Sequence, residues 1–255
     1  MLLKQLVKTD FKLRYQGSFL GYVWTLLRPL ALFAILYVVF GKFLKIGDSV
    51  PHFPIYLLLG IVVWNYFAEV TSGSVAAIVG KGELIRKINF PKYVIVLAGS
   101  FSALINLCIN FVVVGLFLYI NDVDIRTIAT TLPIFIVELF IFSLALAFFL
   151  SAAYVRFRDI NYIWEVIMQA AFYITPILYP LSLLPENAAK IIMLNPMAQI
   201  IQDMRYVLVT DKTLTMSGVY NSHYIRAVPV GVTILLVVIA AVYFKKRSRY
   251  FAEDV

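Results

Sequence analysis

Three carboxylates lie inside long apolar runs: Glu69, Glu138 and Glu165. A charged side chain at mid-depth in hydrocarbon costs at least about 2.5–3.5 kcal/mol, so such a group faces a cavity, finds a partner or stays protonated. Two uses are therefore open to these acids. They could relay protons or ions, or they could hydrogen-bond between helices, as Asn106 and Asn110 (spaced i,i+4) could also do. Asp122-Val123-Asp124 has the D-x-D spacing with which sugar transferases hold a metal, although it falls in a short polar break between apolar runs. His52 and His223 have no metal-ligand spacing, and no nucleophile–base pair stands out. Aromatic residues recur as Phe33, Tyr37 and Phe40 (i, i+4, i+7), and as Phe172, Tyr173 and Tyr179 near a proline-rich break. Flat rings can stack on sugar faces. Lipid contact and core packing are the plainer uses of the same stripes.

The elements that would hold these groups follow from composition. The 255 residues are 62% apolar and only 14% charged, against about 25% charged in soluble domains. Mean hydropathy is +0.89. These values exclude an ordinary soluble enzyme, a disordered chain and a disulfide scaffold, and the single Cys108 can form no internal disulfide. Apolar runs of helical length predict an all-α polytopic membrane protein with six spans: about 26–44, 54–79, 93–121, 127–155, a fifth from about 162 to 180, and 227–244. The third is the clearest, with 29 uncharged residues from Tyr93 to Asn121. With six spans both termini share a side. That side carries 15 of the 22 basic residues, which places both termini in the cytoplasm. The basic residues flank spans and form no groove-sized domain, so nucleic acid is not an expected partner. The whole chain reads as one domain: an interfacial segment 1–25, spans one to five over 26–180, outer helices over 181–226, and a last span with its tail over 227–255.

Three extramembrane pieces carry further information. Residues 1–14 pattern as an amphipathic helix with Lys4, Lys8 and Lys12 opposite Leu2, Leu3, Leu6, Val7 and Leu13. Asp10 and Arg14 lie on the apolar side at i,i+4, so this face meets either lipid headgroups or protein. Residues 81–92, KGELIRKINFPK, read as a short cytoplasmic helix in which Leu84, Ile85 and Ile88 share a face, Glu83 pairs with Lys87, and Pro91 ends the helix. After Pro176, Pro180 and Pro185, residues Met197, Ile200, Ile201, Met204 and Leu208 form one stripe, with Gln199, Gln202 and Asp203 on a polar face. That predicts a helix in the outer interface or re-entering the bilayer. Ser143, Ala147 and Ser151 form a small-residue seam for close packing. No G-x-x-x-x-G-K-[ST] loop occurs, so ATP cannot be cradled by that route. Energy for work against a gradient would come from a partner or an ion.

The stretch RYQGSFLGYVWTLLRP (Arg14 to Pro29) resembles the opening segment of the membrane subunits of type-2 ABC exporters of polysaccharide, the O-antigen, teichoic acid and capsule permeases. KGELIRKINFPK resembles their coupling helix, and LNPMAQIIQDMRYVL (from Leu194) their Asn-Pro element before the last span. The resemblance covers essentially the whole chain. It implies a homodimeric channel in the bacterial inner (plasma) membrane, docked on two separate ATPase subunits that carry the ATP and Mg, with no cofactor in this chain. The implied cargo is a polysaccharide on an undecaprenyl lipid, moved outward. It further implies that Glu83, Leu84, Ile85, Arg86 and Lys87, with Arg156 and Arg158, face the ATPase. Arg14, Tyr15, Trp24 and Arg28 would gate cargo access, and Phe33, Tyr37, Phe40, Phe172, Tyr173 and Tyr179 would line the path. A proton-coupled transporter using the three glutamates, or a membrane-embedded glycosyl or acyl transferase using Asp122 and Asp124, are the alternatives.

Overall fold

The computed structural model describes residues 2–14, 21–88, 90–222 and 224–251. Among them every regular element is helical. This is the expected outcome where each segment must satisfy its own backbone polar groups. α1 (Leu2–Arg14) precedes α2 (Trp24–Leu36), which runs directly into a π-helical stretch, Tyr37–Phe43. Then come α3 (Phe53–Val75), α4 (Gly82–Lys87), α5 (Tyr93–Ile120) and α6 (Leu132–Arg156), the last prefaced by a 3-10 turn, Thr127–Thr131. The second half holds α7 (Ile160–Ile174), α8 (Glu186–Met193), α9 (Pro196–Leu208), α10 (Met216–Tyr220) and α11 (Ala227–Arg247).

α3 is the axis of the bundle. Its apolar side chains point all ways around the helix, and Ile55, Leu57, Leu59, Ile61 and Val63 are all fully buried. A helix apolar on every face belongs inside, and α2, α5, α6, α7 and α9 surround this one. α6 packs on α3 and carries α11 as well. The seam residues Ser143, Ala147 and Ser151 are buried. α1 lies against α5, with Leu3, Leu6 and Val7 half-buried and Lys4 and Lys8 exposed, so its apolar face meets protein. The Asp10 and Arg14 side chains, Tyr15 and His223 lie outside the described residues. In the π-helical stretch, side chains five apart stack on one another, and Lys42 lies 5.8 Å from the centre of the Tyr37 ring.

The structure corrects two expectations, in α4 and in α9. Among the described residues five helical stretches are by themselves long and apolar enough to cross a membrane: Trp24–Phe43, Phe53–Val75, Tyr93–Ile120, Thr127–Arg156 and Tyr224–Arg247. The expected fifth span is α7, whose 15 residues rise only about 22 Å against a hydrocarbon core of roughly 30 Å. The helix expected over 81–92 ends at Lys87. Ile88 is extended (φ −132°, ψ 129°) and exposed while Phe90 is buried, so Ile88 does not join Leu84 and Ile85 on a common face. Finally, α9 does not show a polar face to an interface. Gln199, Gln202 and Asp203 are as buried as the apolar stripe, because each finds a polar partner inside the protein.

Candidate functional site

Two cavities flank one segment of α3 and share Ala68 and Ser72, so they form two lobes of a single trough. The first lobe, about 530 Å³, lies between α3 and α7. Trp64, Trp164, Phe172 and Tyr173 give it aromatic walls, and Asn161, Glu165 and Gln169 give it polar groups. These last three are spaced i, i+4, i+8, so they form one stripe along α7, and all three are exposed. The second lobe, about 520 Å³, lies between α2, α3 and α5. Trp24 and Arg28 line it, with Asn65, Glu69 and Asn106. Asn106 donates to the Glu69 carboxylate at 2.8 Å, and Asn110 donates to the main-chain carbonyls of Asn106 (2.8 Å) and Thr25 (3.3 Å). The start of α2 is thus tied to α5, and α5 to α3. Carboxylate, amide and indole groups over ring faces can bind a hydroxyl-rich ligand by many weak contacts. No covalent step follows from that arrangement.

The six aromatics expected on the path divide. Phe172 and Tyr173 line the trough. Phe33 is buried, stacked on Tyr37 at 5.8 Å and edge-on to Phe117 at 5.6 Å. Tyr37 and Phe40 are half-buried against the core. The Tyr179 hydroxyl donates to the carbonyls of Tyr173 (3.1 Å) and Ile174 (3.0 Å), which closes the C-terminal end of α7, where helical carbonyls lack partners. Of the expected gating residues, Trp24 and Arg28 are in the second lobe. Arg14 falls on α1, its side chain undescribed like Tyr15. The three acids also divide. Glu69 is bonded to Asn106 across helices, Glu138 accepts from Gln199 of α9 at 3.5 Å, and Glu165 stands in the open lobe. Asp122 and Asp124 are exposed in the loop after α5 and line neither lobe.

What ties α3 to α9 and to the segment after α7 is a residue that sequence reasoning passed over. Arg205 on α9 is completely buried. Its guanidinium donates to the carbonyls of Tyr56 (3.0 Å), Pro176 (2.5 Å) and Ile177 (2.7 Å) and to the Gln202 side chain (3.0 Å). It also lies 3.5 Å from the centre of the Tyr56 ring. A buried cation persists only where its donors are satisfied; here three main-chain carbonyls and a ring face do so. The Tyr56 hydroxyl donates to Gln202 as well, at 3.2 Å. One side chain thereby joins α3, the extended link after α7, and α9. The room for it is made by Gly60, where a Cβ would fall 2.5 Å from Arg205 Nη2. The sequence signal was an arginine set among Met204, Tyr206 and Val207 in a proline-started helix. Beside it, Gln199 donates to Asp203 at 2.7 Å, and Arg226 meets Asp203 at 3.4 Å, tying α9 to the start of α11. Arg126 adds a further tie, donating to the Tyr206 carbonyl.

On the expected coupling segment, Glu83 and Lys87 pair at 3.3 Å and both are exposed, as is Arg86. Leu84 is half-buried, and Ile85 is buried against the core, so Ile85 fastens α4 to the bundle and leaves the charged residues outermost. Arg156 and Arg158 are exposed in the α6–α7 turn, each over a neighbouring ring, Phe157 and Tyr154 respectively, at 5.2 Å.

The sequence has relatives among known proteins. The chain is 30% identical over 254 residues to a Klebsiella pneumoniae protein named O-antigen export system permease protein RfbA, covering 99% of this chain and 94% of that one. A Myxococcus xanthus protein of the same name is 28% identical over 264 residues, 100% of this chain and 95% of its own. The Escherichia coli polysialic acid transport protein KpsM is 21% identical over 76% of this chain and 75% of its own. Residues 1–209 match the ABC-2 type transporter family along most of the helical bundle just described; the chain belongs to that family.

Proposed function

We propose that this chain is the channel-forming membrane subunit of an ATP-driven exporter that moves an undecaprenyl-linked, O-antigen-like polysaccharide across the bacterial inner membrane. The observation that carries the reading is the exposed polar stripe Asn161–Glu165–Gln169, set beside the aromatic walls of the α3–α7 lobe. Such a stripe is unfavourable against lipid tails and suited to a passing chain of hydroxyls. The relatives' names support the same substrate class. A second copy completes the channel in this reading, since α2 and α7 are the most thinly covered of the long apolar elements. α7 with the extended link to Pro180 makes the sixth crossing, and both termini are then cytoplasmic. Two ATPase subunits hold the nucleotide and Mg and dock on Glu83, Arg86 and Lys87, with Arg156 and Arg158 beside them. The test is reconstitution in sealed vesicles. With its ATPase partner the chain should move lipid-linked polysaccharide only when ATP is supplied, and alone it should hydrolyse none. Export by this chain unaided would overturn the proposal.

A further inference from the structure

A groove of about 1080 Å³, sharing no lining residue with the trough, lies between the start of α5, α6 and the end of α11. Its floor is apolar and shallow in side-chain volume: Ala145 on α6 and Ala240 and Ala241 on α11 leave the hollow, and Phe148 and Phe244, edge-on at 4.9 Å, close one wall. From Val237 to Lys245 the α11 side runs about 12 Å without a charge. The lining then turns basic, with Lys92, Lys245 and Arg249 converging on it beside Ser248 and no carboxylate among the residues that form it. Lys92 is half-buried at this rim, and the half-exposed Tyr93 ring stands next to it. An apolar slot ending in three cations is complementary to one chemical class, a lipid with an anionic phosphate head. A lone anion would leave the slot empty, and a neutral lipid would leave the cations unmatched.

We infer that this groove seats one anionic glycerophospholipid per chain, with an acyl chain along Ala145, Ala240 and Ala241 and its phosphate at Lys92, Lys245 and Arg249. The site shares no lining residue with the α3–α7 lobe and does not depend on the polysaccharide reading. Each cation near an anionic headgroup contributes about a factor of five, so three give a preference of about a hundredfold over a zwitterionic lipid.

Native mass spectrometry of the purified full-length chain, titrated with phosphatidylglycerol or phosphatidylcholine, tests this. One phosphatidylglycerol should be retained per chain, at about a hundredfold lower concentration than phosphatidylcholine. The triple variant Lys92→Gln, Lys245→Gln, Arg249→Gln should lose that preference. Ala241→Trp, whose exposed position directs an indole into the slot, should lose retention of phosphatidylglycerol itself. Inorganic phosphate in millimolar excess should not displace the lipid. Equal retention of the two lipids, or an unchanged preference in the triple variant, would overturn the inference. So would displacement by inorganic phosphate, which would leave a simple anion site. Displacement by a polyprenyl phosphate at far lower concentration would hand the groove to the cargo carrier. A disulfide between two copies bearing Ala241→Cys, in a Cys108→Ala background, would make it a subunit interface. Either result refutes the phospholipid assignment.

Discussion

Replacing Gly60 by alanine sets two physical rules against each other. Gly60 sits within α3, and an interior Gly→Ala change ordinarily stabilises a helix by about 1 kcal/mol. Here the new methyl carbon would come 2.5 Å from Arg205 Nη2, and Ile177 Cγ2 lies 3.4 Å away on the same side. Ordinary contact is about 3.5–4.0 Å, so the guanidinium must move by about 1 Å. An arginine tip on the surface would swing aside at little expense. This one is planar, bonded to Tyr56, Pro176 and Ile177 carbonyls at 3.0, 2.5 and 2.7 Å, and stacked on the Tyr56 ring. A shift of that size breaks at least one bond made by a charged donor, each contributing about 1.5–3 kcal/mol. Setting the helix gain against that loss leaves Gly60→Ala destabilising by about 0.5–2 kcal/mol, or about 1–8 °C in Tm for a chain of this size. In an Arg205→Met background the flexible thioether makes room. Gly60→Ala should then stabilise, so the two substitutions should be strongly non-additive. Thermal unfolding of the four purified proteins in one detergent, followed by tryptophan fluorescence, reads both signs. A rise in Tm for Gly60→Ala with Arg205 intact would refute the reasoning, since it would mean the guanidinium is not clamped against α3.

Tyr173→Ala should slow vesicle export about fivefold and Tyr173→Phe hardly at all, since a stacking contact contributes about 0.5–1.5 kcal/mol; equal slowing in both would exclude ring stacking as the operative contact. Glu83→Lys should reduce co-purification of the ATPase while leaving assembly of the membrane subunit and its Tm unchanged, because an exposed pair such as Glu83–Lys87 contributes roughly 0–1 kcal/mol. Glu69→Gln and Glu138→Gln should preserve export and its pH profile, as an amide oxygen can still accept from Asn106 or Gln199; loss of both export and pH dependence would instead reinstate proton coupling. Lys190, bonded to Glu186 at 2.5 Å, holds that carboxyl below its ordinary range. The pair's contribution is therefore present above about pH 4.5 and lost as the pH falls through the lower folded value. Glu186→Gln should slightly lower stability at neutral pH and make no difference once the pH is below the folded value; equal stability of the two proteins at neutral pH would contradict the assignment.

Hydrophobic run length, which needs no knowledge of neighbours, determined the all-helical membrane class and several boundaries. The uncharged stretch Tyr93–Asn121 became α5, ending at Ile120, and the apolar run from Ala227 became α11. The Arg14–Pro29 segment and the lack of a nucleotide loop pointed to the same family that the relatives identify. Periodicity also found the apolar stripe of α9. It could not tell that Gln199, Gln202 and Asp203 turn inward, because periodicity describes one helix and their partners lie on α6, α3 and the start of α11. The same limit hid Arg205, whose acceptor Tyr56 is 149 residues away, and it left Glu69 and Glu138 ambiguous until Asn106 and Gln199 were brought beside them. Among the path aromatics, spacing put Phe33 and Tyr173 in one class; packing buried the first against Phe117 and opened the second to the trough. Chain-local chemistry thus fixed which segments are apolar helices and roughly where they begin and end. Which polar groups meet, and which face of each helix stays open, was decided by the tertiary arrangement, since a buried polar atom is settled only by the partner that folding delivers to it.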